Sequence, residues 1–257
     1  MLFRSERNYR LDPAELARRL SPATKLVVLA SPQNPSGVAI APAALREVLA
    51  AMAETCPAAF LIVDETYREA AYGEDPVAES AVSLSPRVIS VASLSKCHGA
   101  PGLRLGWAVT RDPAVSQQLV LGKFNTVISC SPLDEALALR LLAGSAGLMS
   151  QRRRHLAEAL SVTAHWVEAN GELVDWVAPE AGAICCLRLK PRVFDEPAIG
   201  RFYAALAGEG LRVAKGSWFG EEDRIFRLGF GLLPIAELRA GLAGLGRALR
   251  EAARRAA

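Results

Sequence analysis

The sequence predicts an α/β fold in which a mainly parallel sheet flanked by helices is followed by a small α+β C-terminal domain. Three observations carry this prediction. Short apolar runs alternate with helical patterns through the first 145 residues, and most of those helices open with a proline at the first helical position. Near Gly147 the texture changes to one long helix followed by shorter strands and helices. The expected division is residues 1–145 and 146–257.

Each element has a local cause. Residues 25–30 (KLVVLA) and 59–63 (AFLIV) are nearly continuous apolar runs, as expected of parallel strands covered on both faces. Residues 88–92 (VISVA) and 103–110 (LRLGWAVT) supply two more strands. Asp12-Pro13-Ala14-Glu15 combines a capping side chain, a proline at the first helical position and a carboxylate three residues past the cap. Asp112-Pro113 and Ser131-Pro132 repeat the device, whereas Ala41-Pro42 has the proline without a capping side chain. Beyond Gly147 a helix runs to a stop at Gly171, with Leu148, Leu156, Leu160, Thr163 and Val167 on one stripe. A strand over 183–189, a helix around 199–208, a strand over 224–229 and a last helix from near Pro234 to the end follow. The cluster Arg152-Arg153-Arg154 on the long helix reads as a solvated face.

Composition narrows the function classes. A chain of 257 residues, 51% hydrophobic, holds ample core material for one large or two modest domains. Thirty Lys and Arg against 27 Asp and Glu leave a net +3, too balanced to advertise a nucleic-acid surface. The longest apolar runs, such as 58–63, are too short to span a bilayer. Charges at Arg4, Glu6 and Arg7 stand where a signal peptide needs an apolar segment. Cys56, Cys97, Cys130, Cys185 and Cys186 form no Cys-x-x-Cys, and the three histidines lack helical ligand spacing, so no metal site is expected. Free thiols in a reducing cytoplasm are the expectation. No Gly-Lys-Ser/Thr loop and no Gly-x-Gly-x-x-Gly after a strand occur, so neither a P-loop nor a dinucleotide fingerprint is read.

Four motifs remain. Ser31-Pro32-Gln33-Asn34-Pro35-Ser36-Gly37 follows the first strand. Alone it is a turn, but it also sets the Asn34 amide at the C-terminal edge of a sheet, where α/β folds bind ligands. Asp64-Glu65-Thr66-Tyr67 ends the second strand, and each residue taken singly is a cap or a packing residue. The third motif is sharper: Ser93, Ser95 and Lys96 leave a strand, a Gly/Pro-rich turn follows, and Arg104 comes eight residues after the lysine. Two hydroxyls on one face plus a guanidinium fork suit a phosphate, with Lys96 beside it placed for covalent work. The fourth is Arg227 in the apolar stretch Phe226-Arg227-Leu228-Gly229-Phe230, which points either to solvent or into a cleft toward a carboxylate. His98 is expected to support the lysine or lie exposed, and Cys97 carries nothing beyond its position. His155 and His165 read as surface or packing residues, Trp107 and Trp218 as core.

In this order, Asn34-Pro35, Asp64-x-x-Tyr67, Ser93-x-Ser95-Lys96-x7-Arg104 and Arg227 resemble the class I/II aminotransferases, pyridoxal-phosphate enzymes of fold type I in the aspartate-aminotransferase superfamily. Separations of 30 (Asn34 to Asp64), 32 (Asp64 to Lys96) and 131 residues (Lys96 to Arg227) are of that family's size. Lys215-Gly216-Ser217-Trp218-Phe219-Gly220 also resembles the family's segment before its substrate arginine. The resemblance implies that Lys96 holds pyridoxal 5'-phosphate as a Schiff base and then serves as general base and acid. It implies that Asp64 binds the pyridine nitrogen, that Tyr67 and Asn34 donate to the phenolate oxygen, and that Ser93, Ser95 and Arg104 hold the phosphate. Arg227 would take the substrate's α-carboxylate. The implied reaction moves an amino group from an α-amino acid to a 2-oxo acid in amino acid metabolism, in a cytoplasmic homodimer without nucleic-acid or membrane partners.

The chain also departs from the family's pattern. Only 33 residues precede Asn34, and none resembles the family's N-terminal arm, its phosphate loop at a helix N-terminus or its ring-stacking aromatic residue. The expectation is a partial large domain with two unpaired sheet edges and a weakened phosphate site. Two alternatives stay open. One is another pyridoxal-phosphate reaction on the same scaffold (decarboxylase, cyclase or oxidase), and the other is a non-catalytic remnant or sensor domain. Gly216, Ser217, Trp218 and Phe219 are expected to border the substrate's side chain.

Overall fold

A computed structural model describes residues 4–254; the expected start of the charged N-terminal segment at 1–3 and the end of the last helix at 255–257 lie outside them. The first sheet contains β1 (Leu26–Ala30), β2 (Phe60–Asp64), β3 (Val88–Ser93) and β4 (Gly106–Thr110), in that spatial order. The β1–β2 and β2–β3 pairs are parallel, whereas β4 returns antiparallel, with Ser93 opposite Gly106. Gly106 is required there, because a Cβ would lie 2.7 Å from the Ala92 carbonyl oxygen. The expected α/β class holds, with the last strand running the other way. That strand begins at Gly106, and Pro101–Leu103 forms a 3-10 turn ahead of it.

One face of this sheet is packed. Short α1 (Pro13–Ala17) contributes Leu16, and α2 (Pro42–Thr55) lays Leu45, Val48 and Met52 over Val27, Leu29, Leu61 and Val63. The expectation that β1 is covered on both faces fails. Leu26 and Val28 are exposed, alternating with buried Val27 and Leu29. The capping residues behave as expected: Asp12 accepts from the Glu15 N–H at 3.1 Å, and Asp112 and Ser131 cap α3 (Pro113–Thr126) and α4 (Pro132–Ala143).

The second core is built on α5 (Ser145–Ala169), α6 (Glu196–Gly208) and α7 (Ile235–Arg254) against an antiparallel sheet ordered β5-β6-β8-β7. These strands are β5 (Val174–Trp176), β6 (Ile184–Leu189), β7 (Ala214–Lys215) and β8 (Ile225–Gly229). The stripe of α5 buries Leu156, Ala159, Thr163 and Val167, and α7 buries Leu238, Leu242, Leu245 and Leu249 at helical spacing. Residues before β1 reach this second sheet: Tyr9 packs with Cys186 and Ile225, and the Ser5 N–H donates to Glu221 Oε1 at 3.1 Å. All five cysteines are free. Among the described residues no helix is long and apolar enough to cross a membrane.

Candidate active site

The C-terminal ends of β1, β2 and β3 lie side by side, because the register sets Ala30 opposite Asp64 and Asp64 opposite Val91. The three local motifs leave the sheet at this edge. Asp64 is the last residue of β2, and its Oδ1 accepts the Thr66 N–H at 2.9 Å, which starts the turn that carries Tyr67. Strand alternation sends the next side chain, Glu65, the other way into the interior. There it accepts from Ala81 N–H at 2.6 Å and Ser80 Oγ at 2.7 Å and forms an ion pair with Arg68, whose Nε lies 3.4 Å away.

Ser93 ends β3, and its Oγ accepts the Ser95 N–H at 3.3 Å, so the two hydroxyl-bearing residues share one turn. Lys96 follows on that turn and is exposed. Its carbonyl accepts the Gly99 N–H at 3.1 Å, and Cys97 anchors the turn from beneath by donating Sγ–H to the Thr66 carbonyl at 3.0 Å. Burial pushes the Cys97 thiol up to about 11, so it stays a neutral donor. Arg104 adopts a left-handed backbone (φ 50°) at the end of the 3-10 turn, with Nη1 donating to the Pro101 carbonyl at 2.8 Å. Among the described residues the rest of its guanidinium has no partner, and Arg104 is exposed.

A long-range contact closes the site. Arg227 on β8 donates from Nη1 to Asn34 Oδ1 at 2.8 Å, across 193 residues of sequence. The second sheet therefore delivers a guanidinium to the loop that follows β1. Gly37 permits this approach, since its φ of +74° and the 2.5 Å separation of a would-be Cβ from Pro179 admit only glycine. Tyr67 is half-buried, and burial raises its phenol above the ordinary value; the Arg227 charge opposes that shift, while Asp64 and Cys97 add to it. Asn34, Tyr67, Asp64 and Arg227 are thus brought together, and Ser93, Ser95, Lys96 and Arg104 occupy the neighbouring strand end.

A larger cavity lies elsewhere. A groove of about 550 Å³ lined by Ser31, Ile40, Glu65, Arg68 and Glu180 includes none of the eight predicted site residues. The chemistry sits instead on an open sheet edge. A smaller cavity of about 210 Å³ touches Ser93, Cys97 and His98. His98 is buried, with Nε2 3.5 Å from Glu69 Oε2 and its ring edge-on to Trp107. Three expectations are corrected. Trp107 and Trp218 are exposed rather than core, because β4 is an edge strand and Trp218 lies on a surface 3-10 turn, Gly216–Phe219. Arg152 and Arg153 are half-buried rather than solvated, and both reach the turns around the site. Gly182, which lies against the Tyr67 ring, belongs to no motif, and no local motif signals the burial of Glu65 or the reach of Arg152 to the Lys96 turn.

The family model for aminotransferase class I and II matches residues 1–245. The chain is 32% identical over 252 residues to capreomycidine synthase of Streptomyces vinaceus, covering 98% of this chain and 62% of that protein. The fold matches a PLP-dependent aminotransferase from Streptococcus suis with a TM-score of 0.84 at 26% identity, over 97% of this chain and 63% of that one. It matches the PLP-dependent cyclase OrfR with a TM-score of 0.79 at 32% identity, over 94% and 63%. The chain thus spans somewhat under two thirds of the length of these relatives. The implied cofactor is pyridoxal 5'-phosphate (PLP), and the donor set suits it: an exposed lysine follows two hydroxyl-bearing residues on one turn, and the neighbouring strand ends in an exposed carboxylate. With the match running from residue 1 to 245 and the fold shared along nearly all of its length, the chain belongs to the class I and II aminotransferases.

Proposed function

We propose that this chain carries the lysine-bearing and carboxylate-binding parts of an aminotransferase acting on an α-amino acid and a 2-oxo acid. The contact between Arg227 and Asn34 carries the reading, because it brings a guanidinium from the second sheet to the edge that presents Lys96. The Asn34 oxygen is occupied by Arg227, so its amide N–H₂ is left to donate toward the cofactor's phenolate oxygen. Arg227 has one Nη committed and keeps its other donors for a carboxylate in bidentate geometry. The Tyr67 phenol, held protonated by burial, is a second donor to the same oxygen.

The chemistry that bound pyridoxal phosphate supplies is capture of a primary amine at its aldehyde and withdrawal of electrons from the substrate's Cα. Lys96 Nζ would hold the group at its aldehyde and, as a free amine, would move the proton at the substrate's Cα as base and then acid. Asp64 would take the pyridinium N–H, and Ser93, Ser95 and Arg104 would bind the phosphate. The reading includes residues 1–145 and 146–257 as large-domain and small-domain portions, and a cytoplasmic homodimer as the assembled form.

Identity of 32% to capreomycidine synthase over 98% of the chain favours a second reading, cyclisation of an amino acid on the same residues. The test is addition of pyridoxal phosphate to the purified chain, borohydride reduction and peptide mapping, followed by product analysis with several amino acids. A visible band trapped at Lys96 and abolished in Lys96→Ala is expected. A 2-oxo acid product identifies amino transfer and a ring product cyclisation. Indiscriminate labelling of surface lysines would reject Lys96.

A further inference from the structure

We propose that Arg152 is a positioning residue for Lys96, acting through the backbone of the turn that carries it. The proposal rests on the reading of Lys96 as the cofactor-holding lysine. Arg152 lies four residues before Leu156 and seven before Ala159, which puts it in register with the buried stripe of α5. A charged side chain at the end of an apolar stripe needs a polar partner. Its Nη2 finds one in the Lys96 carbonyl at 3.3 Å. That oxygen also accepts the Gly99 N–H at 3.1 Å, so both of its lone pairs are used.

The turn is shaped for this guanidinium. Gly99 has φ +66°, and a Cβ there would stand 2.8 Å from Arg152 Nη1. The next residue makes the docking two-pronged. Arg153 donates to the Asp75 carbonyl, and its own carbonyl accepts the Gly73 N–H at 3.0 Å. One turn of α5 therefore grips both the segment after Tyr67 and the Lys96 turn. Arg154 turns back instead to Ser150 on its own helix at 2.7 Å, so the grip belongs to Arg152 and Arg153 and not to the cluster as a whole.

The deciding experiment is hydrogen–deuterium exchange on the 257-residue chain without cofactor, comparing Arg152→Gln, Arg152→Lys, Gly99→Ala and the Arg152→Gln/Gly99→Ala double variant. Arg152→Gln is expected to speed exchange of the Gly99 and Ala100 amides about tenfold while β3 and α5 keep their protection. Arg152→Lys, which keeps one charged donor, should restore most of it. The double variant should open the turn by less than the sum of the two single variants, because Gly99→Ala already crowds the guanidinium that Arg152→Gln removes. Pyridoxal-phosphate capture at Lys96, relative to other lysines, should fall in parallel. Unchanged exchange at residues 96–100 in Arg152→Gln, or a uniform rise across α5 and the second sheet, would overturn the proposal. Absence of capture at Lys96 in the unmodified chain, with the exchange effect present, would reject the cofactor reading and leave the tether standing.

Discussion

Adjacent side chains at the end of β2 divide the labour. Asp64 faces the open edge, while Glu65 is buried with hydrogen bonds from Ala81 and Ser80 and an ion pair to Arg68. Those bonds tie the loop before β3 to the strand that bears Asp64. Glu65→Gln would keep one acceptor and set an N–H₂ group against donors. We expect it to destabilise the chain by about 2–3 kcal/mol, read from the urea midpoint. The cysteines give a second prediction. Burial raises the Cys97 thiol to about 11 and Cys186 to about 12, so neither forms appreciable thiolate at mildly alkaline pH. Cys130 is half-exposed. Iodoacetamide at pH about 8 should therefore alkylate Cys130 first and reach Cys97 and Cys186 only after denaturation, as peptide mapping would record. Rapid labelling of Cys97 in the native chain would contradict the anchored turn beneath Lys96.

The helices differ in how well they start. Asp112, Ser131 and Asp195 accept from first-turn N–H groups, but α2 opens on Ala41, which has extended backbone (φ −60°, ψ 139°) and no capping bond. Ala41 is exposed, so Ala41→Ser or Ala41→Asp should add about 0.5–1 kcal/mol of stability in a urea titration. The absent cap could be read from the sequence because capping is local, and the same holds for the Asp-Pro and Ser-Pro starts. Strands with long apolar runs were equally readable. By contrast, β5 and β7 have three and two residues and exist only by pairing with β6 and β8, so no run announces them. The reversed direction of β4 is likewise a property of its partner and not of its own residues. At the site, Ser93, Ser95, Lys96 and Arg104 formed a local pattern. The contact of Asn34 with Arg227 spans 193 residues and has no local signal; the resemblance groups the two residues in one site without implying that they touch. Arg152 hid within a run of three arginines. Its phase relative to Leu156 was the available signal, and charge composition masked it.

At the scale of the whole molecule, the first sheet has β1 and β4 as its edge strands, each with one edge that pairs with no strand among the described residues. All of β4 except Thr110 is exposed, and α3, which touches it, buries none of its residues. Large apolar side chains stand in water there: Phe124 is 63% exposed, Ile128 69% and, on α4, Leu133 79%. Single exposed leucines are ordinary, but this many apolar groups beside a free strand edge form a surface that water disfavours. Hydrophobic attraction is not screened by ions, whereas an interface of opposite charges would weaken with salt. Exposed backbone N–H and C=O groups on β4 add a template for strand pairing. The 257-residue chain is therefore expected to self-associate with rising concentration in sedimentation velocity, to bind a hydrophobic dye in its native state, and to keep associating at high salt. Phe124→Lys combined with Leu137→Lys should shift it toward monomer with little loss of fold, since both side chains are exposed. A monomer across the micromolar range, indifferent to those substitutions, would mean that the β4 edge and the faces of α3 and α4 are stable in water as they stand.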